Sequence, residues 1–279
     1  MKIYFPKLVP TLHLGGFTMW RLMQVSCFFF LFLFGCSSET TPKRLSLYLP
    51  APSVAVQAPG HGSVFSRVPI QAVLVILNDT GFQRSAPGLR TGTLQHLGER
   101  LKGELETQLP LQISSVIYPE PIALNGSAPS FSAVAKEQGV PYILVAVLSS
   151  SEVEVFERLP LQGTQQGGGL RSMGLPGYRA ENYARMELAM VDGQTGQAVV
   201  TTDGQAWAVL ERLEVPLASN VYPVVRRGQT QPPIYPNNEE DAYETLRWVS
   251  GQDALAQAVM HLEAVWRKGR AAPGEAARG

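Results

Sequence analysis

Three short apolar runs, rich in β-branched residues, constrain the fold of this chain more than any other feature. They are Ile70–Leu77, Leu111–Tyr118 and Tyr142–Leu148. The first and third show almost no polar alternation, which is typical of strands buried on both faces. We therefore expect these runs to form the strands of one sheet.

The residues between the runs predict helices. Before the second run, leucines recur every three or four residues and end at Pro110: Leu94, Leu97, Leu101, Leu105 and Leu109. This spacing gives an amphipathic helix. A shorter helix is expected around Ser130–Gln138, closed by Gly139. The resulting β-α-β-α-β order predicts parallel strands joined by right-handed crossovers.

The pattern changes in the second half of the chain. Glu152, Glu154 and Glu157 alternate with apolar residues, which indicates an edge with one wet face. Asn182–Val191 and Gln197–Val209 flank a Gly-rich turn and predict an antiparallel hairpin. The sequence thus predicts an α/β fold with an α+β tendency, built on a mixed sheet.

A C-terminal helix completes the predicted fold. Ser250 and Asp253 resemble a capping box at its start. The residues that follow carry an apolar stripe: Leu255, Val259, Leu262 and Trp266.

The N-terminal region predicts an exported, lipid-anchored protein. Arg21 precedes a mostly apolar stretch, Leu22–Phe34, and then Gly35 and Cys36. The stretch has the length of a signal peptide and is shorter than the roughly 20 residues of a membrane span. The small residue before cysteine resembles the bacterial lipobox, which implies acyl chains, palmitate among them, on Cys36. An uncleaved apolar anchor is the alternative.

These features predict four segments. Residues 1–35 form a signal peptide, whose true start we expect at Met19 or Met23, and residues 36–66 form the lipidated N-terminus and a flexible tether. Residues 67–267 form a periplasmic α/β domain, and residues 268–279 a disordered tail. Ser37 after the cysteine implies, by resemblance, sorting to the outer membrane.

Charge and cysteine content narrow the possible functions. The 23 basic and 23 acidic residues balance, so the composition does not favour a nucleic-acid partner. Cys27 lies at the edge of the apolar stretch and would be removed with the signal peptide. Cys36 would then have no partner for a disulfide within the chain, and the core must stabilise the domain by itself.

No catalytic constellation stands out in the sequence. The four histidines are scattered, at His13, His61, His96 and His261, and no phosphate-binding, dinucleotide or nucleophile motif occurs. We expect no cofactor, no metal site and no catalytic residue.

One edge of the sheet is a candidate ligand cleft, although ordinary structural roles for its two acids are the favoured interpretation. Asp79 ends the first strand and Glu152 follows the third, at the edge where open α/β sheets bind ligands. Ordinary turn chemistry at Asp79 and a strand that continues into Glu152 form the alternative. A loop with Arg226, Arg227 and the Pro-rich stretch 232–236 is a second candidate, for docking a partner.

The order of these features resembles a group of envelope proteins. A lipobox, a tether, the α/β pattern and the hairpin turn Val191–Gln197 together resemble the rhombotarget-type lipoproteins. More distantly, they resemble the amino-terminal domain of TolB and the curli-secretion lipoproteins. The resemblance spans about residues 67–266 and implies binding or assembly in the envelope, without catalytic residues to carry over.

We therefore expect a non-enzymatic, lipid-anchored periplasmic protein that binds or assembles with an envelope protein. The membrane is contacted through lipid on Cys36. One alternative is a lipid-anchored hydrolase with a carboxylate-lined cleft near Asp79 and Glu152. Another is an oligomeric secretion-type lipoprotein, which would need membrane hairpins of roughly 9–11 residues per strand.

Overall fold

A computed structural model describes most of the chain after residue 40. The described residues are 41–49, 69–119, 130–159, 174–215, 221–227 and 231–275. Cys36, the predicted signal peptide, residues 50–66 of the predicted tether and residues 67–68 lie outside them.

The described residues form one six-stranded mixed sheet with three α-helices. In chain order the elements are a short 3-10 helix (Leu45–Leu47), β1 (Ile70–Asp79), α1 (Thr91–Gln108), β2 (Leu111–Ile117), α2 (Phe131–Gln138), β3 (Tyr142–Leu159), β4 (Leu175–Asp192), β5 (Ala198–Leu213), β6 (Val224–Arg226) and α3 (Glu239–Glu275). The strand order is β2-β1-β3-β4-β5-β6. β1 is parallel to β2 and β3, and the later neighbours are antiparallel. The predicted class, parallel start, hairpin and C-terminal helix are confirmed.

Alternate residues of the strands face two different layers. On one face, α1 and α3 pack against Leu74, Ile76 and their neighbours in the sheet. The whole apolar stripe predicted for α3 is buried in this contact. On the other face, α2 and Leu45 pack against Val73, Val75 and the odd-numbered residues of β3. β1 and the first half of β3 are therefore covered on both sides, which explains their unbroken apolar sequence.

Local chemistry fixes the ends of two elements. Ser130 caps α2 by accepting a hydrogen bond from the Ala133 N–H, and Gly139 closes the helix with a left-handed φ of 64°. In the β4–β5 turn, Asp192 accepts hydrogen bonds from the N–H groups of Gln194 and Thr195. Gly196 supplies the positive φ of 71° that this turn needs.

β3 is longer than its apolar run. It continues through Glu152 and Glu157 to Leu159, paired with β4 along its whole length, whereas β1 pairs with it only as far as Ser149. Among the described residues, the part from Glu152 onward therefore has a paired strand on one side only, and residues 154–156 are exposed. The glycines at positions 167–169 predict a loop over residues 159–177; β3 ends at Leu159 and β4 starts at Leu175. Residues 160–173 of that loop lie outside the described residues.

The predicted start of the C-terminal helix was wrong. α3 begins at Glu239, where the Asn238 side chain accepts a hydrogen bond from the Asp241 N–H. Ser250 lies in the interior of the helix, fully buried, and donates to Asn182 of β4. At the other end the helix continues to Glu275, past residue 267, where the domain was expected to end.

Residues 41–49 belong to the fold, although composition assigned them to the tether. Thr41 and Leu45 are buried, at 3% and 6% exposure. The Thr41 hydroxyl donates to the Tyr183 carbonyl oxygen of β4. The described part of the fold therefore begins at Thr41, five residues after Cys36.

The close approach of α3 to β5 depends on Gly204. A Cβ atom there would lie 2.2 Å from the Ala254 carbonyl oxygen and 2.4 Å from the Ala258 nitrogen. Both are backbone atoms of α3, so a side chain at this position would have to push the helix off the sheet.

We predict that Gly204→Ala lowers the free energy of unfolding by about 1–3 kcal/mol, the usual cost of overpacking. Gly103→Ala is the control, because nothing lies within 4 Å of a Cβ at this position in α1. That change should raise stability by about 0.5–1 kcal/mol. Urea denaturation measures both. A Gly204→Ala protein as stable as the unmodified one would contradict the packing of α3 on β5.

Candidate functional site

Asp79 lies at the end of β1 in an ion pair with Arg44. The Arg44 Nε donates to the carboxylate at 2.8 Å, and the Asp79 side chain is only 2% exposed. The Gly81 N–H donates to the same carboxylate at 2.8 Å, and the Arg44 guanidinium also donates to the Gly81 carbonyl oxygen. Asp79 thus holds together the end of β1, the turn after it and the segment that enters the fold at Thr41.

The environment of Asp79 favours its charged form. Burial alone would raise the pKa of this carboxyl group, but the hydrogen bonds from Arg44, Gly81 and Tyr48 outweigh burial and lower the pKa below its ordinary value. Burial and the contact with Asp79 raise the pKa of Tyr48 to about 12. Asp79 is therefore a poor general acid or base near neutral pH.

Glu187 provides a second contact for the same segment. Its carboxylate accepts hydrogen bonds from the backbone N–H groups of Arg44 and Leu45, the latter at 3.0 Å. Glu187 is only 4% exposed, so its charge is compensated by these donors instead of by water. The start of the segment is thus held through its backbone as well as through Arg44.

Glu152 is paired on the opposite face of the sheet. Arg247 of α3 donates to its carboxylate through Nε at 2.9 Å and through a second guanidinium nitrogen at 3.1 Å. Next to this pair, Glu154 contacts Arg212 and Tyr243. These contacts attach the first half of α3 to the distal half of β3.

The structure does not bring Asp79 and Glu152 together. β3 continues without a register shift, so Glu152 faces α3, whereas Asp79 faces the layer of Arg44 and Leu45. The sheet lies between the two carboxylates, and each has its own arginine. The cleft predicted from sequence would need both on one face.

A cleft between α1 and α3 was missed by the sequence reasoning. It has a volume of about 500 Å³ and is lined by Thr93, His96, Arg100, Glu244, Thr245 and Trp248. The half-buried indole of Trp248 supplies an apolar surface, with a base and an acid on opposite helices beside it. Such a mixture suits a partner side chain or a small amphipathic ligand.

The beginnings of the two helices that form this cleft are joined by charge pairs. The Arg90 guanidinium contacts Glu240 and Asp241, and its backbone N–H donates to Glu244. The spacing of Thr93, His96 and Arg100 places them on one side of α1. The sequence shows these three polar residues on one side of α1, but it does not show that α3 faces them.

The remaining candidates are attached to the fold by polar contacts. His261 of α3 contacts the Asp203 carbonyl oxygen, and His96 lies in the cleft. In the predicted docking loop, Arg226 pairs with Glu211 and Arg227 with Asp253. Within the described residues no group of three or more metal-binding side chains is found, and no helix is long and apolar enough to cross a membrane.

Comparisons with known proteins give only distant similarities. A scan against protein-family models and a search of characterised protein sequences gave no match. Among solved structures, a PelC dodecamer from Paraburkholderia phytofirmans aligns at 14% identity over 68% of this chain and 89% of its own, with a TM-score of 0.23. A neuraminyllactose-binding hemagglutinin homolog from Helicobacter pylori aligns at 9% identity over 70% and 84%, with a TM-score of 0.34.

A lipoprotein from Neisseria meningitidis also aligns, at 11% identity over 50% of this chain and 83% of its own, with a TM-score of 0.26. All three TM-scores lie below 0.5. The three alignments are distant similarities only.

The Arg44–Asp79 pair gives a test of how the entering segment is held. Arg44→Ala would leave the buried Asp79 carboxylate without its cation, and we predict a loss of about 3–5 kcal/mol in the free energy of unfolding. Lys43→Ala is the control, since the Lys43 side chain is 65% exposed in its pair with Asp203. It should cost about 1 kcal/mol or less. Equal losses in urea denaturation would show that Asp79 does not depend on Arg44.

Proposed function

We propose that this protein is a lipid-anchored envelope protein with a non-catalytic role in binding or assembling a partner. The observation that carries the proposal is the short distance in sequence between Cys36, in its lipobox-like setting, and Thr41, where the chain enters the fold. A domain joined so closely to an acylated residue would stay at the membrane. Several acyl chains contribute about 0.8 kcal/mol per buried methylene, enough for lasting attachment.

The charged side chains of the fold support a binding role over a catalytic one. The two carboxylates that the sequence offered for chemistry, Asp79 and Glu152, serve as the partners of Arg44 and Arg247. The hydrolase alternative would need one of them released and a second catalytic group beside it. The secretion-type alternative has no specific observation in its favour among the described residues.

The cleft between α1 and α3 is our candidate for the partner site. Its apolar surface at Trp248 and its charged rim at Arg100 and Glu244 match the composition of protein-binding sites, which combine an aromatic centre with polar edges. We place the partner's contact there. The outer-membrane location and the periplasmic side remain part of the same proposal.

The anchor is tested by Cys36→Ala, which we predict moves the protein from the membrane to the soluble fraction of cells. Cys27→Ala is the matched control, because Cys27 lies nine residues earlier in the apolar stretch and should be dispensable. Fractionation followed by immunoblotting, with mass analysis of the N-terminal peptide, measures both. Membrane association that survives Cys36→Ala would overturn the lipid anchor.

The partner site is tested by a photo-crosslinking amino acid placed at His96 in living cells. We predict a discrete covalent adduct from this position, because His96 is exposed on the cleft. The control is the same residue at Gln108, exposed at the far end of α1 and outside the cleft. Identical adduct patterns from both positions, or none from His96, would contradict the cleft as the contact site.

A further inference from the structure

One half of the sheet exposes two large apolar side chains, Trp207 and Val155, on the face away from α3. We call this surface the open face and define it by Val153, Val155, Arg179, Glu181, Tyr183 and Trp207. Trp207 and Val155 are 49% and 48% exposed. Their even-numbered neighbours Ala206 and Glu154 contact the α3 side, so the period of the strands places Trp207 and Val155 on the other side.

The chain that leads from Cys36 enters the fold at the border of the open face. Thr41 bonds to the Tyr183 carbonyl oxygen and to the Ser151 hydroxyl. Ser151, Tyr183 and Trp207 are aligned across three neighbouring strands. Adjacent strands lie about 4.8 Å apart, so Trp207 is one strand away from the residue that Thr41 contacts.

The distance from the lipid to this border has an upper limit set by covalent geometry. Thr41 follows Cys36 by five residues. Whatever their course, five residues span at most roughly 18 Å. A lipidated Cys36 lies at the headgroup level of the bilayer, so the border of the open face must lie within that distance of the membrane surface.

We propose that the open face lies on the bilayer surface beside the lipid anchor, with Trp207 and Val155 at the level of the lipid headgroups. The proposal rests on the lipidation of Cys36 proposed above. The tether predicted from sequence would hold the domain away from the membrane, whereas the proposal places the domain against the membrane in a fixed orientation. α3 would then face away from the bilayer.

The chemistry of the open face suits a lipid headgroup layer. Tryptophan prefers this layer because its ring is apolar and its N–H can donate a hydrogen bond. Among the described residues on this side the bases contact acids: Lys43 and Arg185 share Asp203, Arg179 contacts Glu157 and Glu181, and Arg226 contacts Glu211. We therefore expect contact with a zwitterionic bilayer, without a requirement for anionic lipid.

The test uses the chain from Ser37 onward with a hexahistidine tag in place of Cys36, bound to phosphatidylcholine vesicles that contain a nickel-chelating lipid. This substitute anchor separates the proposal from native lipidation, which the Cys36→Ala fractionation tests on its own. The removal of Cys36 also leaves no other cysteine. A single Val155→Cys change therefore carries an environment-sensitive nitrobenzoxadiazole dye on the open face.

The expected result is brighter and blue-shifted emission from position 155 when vesicles are added, with quenching by spin-labelled lipid. Met260→Cys is the matched control, because Met260 is 54% exposed on α3, on the other side of the sheet. Its emission should not change. Adding Trp207→Ser to the Val155→Cys protein should remove most of the shift, with an unchanged circular dichroism spectrum showing that the fold is intact.

Three outcomes would overturn the proposal. The first is equal emission changes at positions 155 and 260. The second is no change at position 155 although the protein is bound to the vesicles. The third is a shift at position 155 that depends on protein concentration and occurs without vesicles, which would make the open face a contact between two copies of this chain.

Discussion

The ion pair between Arg44 and Asp79 is the contact on which the layout of this protein depends. A buried carboxylate at the end of β1 is costly unless a cation and N–H groups compensate its charge. Arg44 supplies the cation, and in doing so holds the segment that leads from Cys36 against the sheet. The same contact that stabilises the end of β1 therefore also holds residues 41–49, which follow the proposed lipidation site Cys36, against the sheet.

The first half of the fold could be predicted because it contains strands that are covered on both faces. Such strands have a nearly unbroken apolar sequence, as in Ile70–Leu77. The distal half of β3 could not. Glu152 and Glu154 suggested a wet edge, and their partners Arg247 and Arg212 lie 95 and 58 residues away in the chain. The role of a charged residue on a strand can be predicted only when the helix that carries its partner is known to pack there.

The structure differs from the sequence-based prediction in two further places, the start of α3 and residues 41–49, and the causes are different. The sequence did contain a signal for the start of α3, because Asn238 and Asp241 form a cap and the first turn is acidic. Ser250 and Asp253 have the same spacing, and the capping box was therefore predicted inside the helix. The segment from Thr41 had no such signal. It lies within a stretch whose composition is that of a tether, and the burial of Leu45 together with the distant carboxylates of Asp79 and Glu187 makes it part of the fold.

A short connection also decides how strong a membrane contact must be. A group confined near its binding surface by a few residues has an effective concentration on the order of millimolar. A contact with a dissociation constant near 1 mM, worth about 4 kcal/mol, would then be half occupied. Full burial of two large apolar side chains supplies about 3–6 kcal/mol, and because Trp207 and Val155 are already half-buried they supply about half of that. Trp207 and Val155 would therefore supply only part of the free energy that orients a domain retained by lipid on Cys36, and the rest must come from the polar residues of the open face at the headgroup layer.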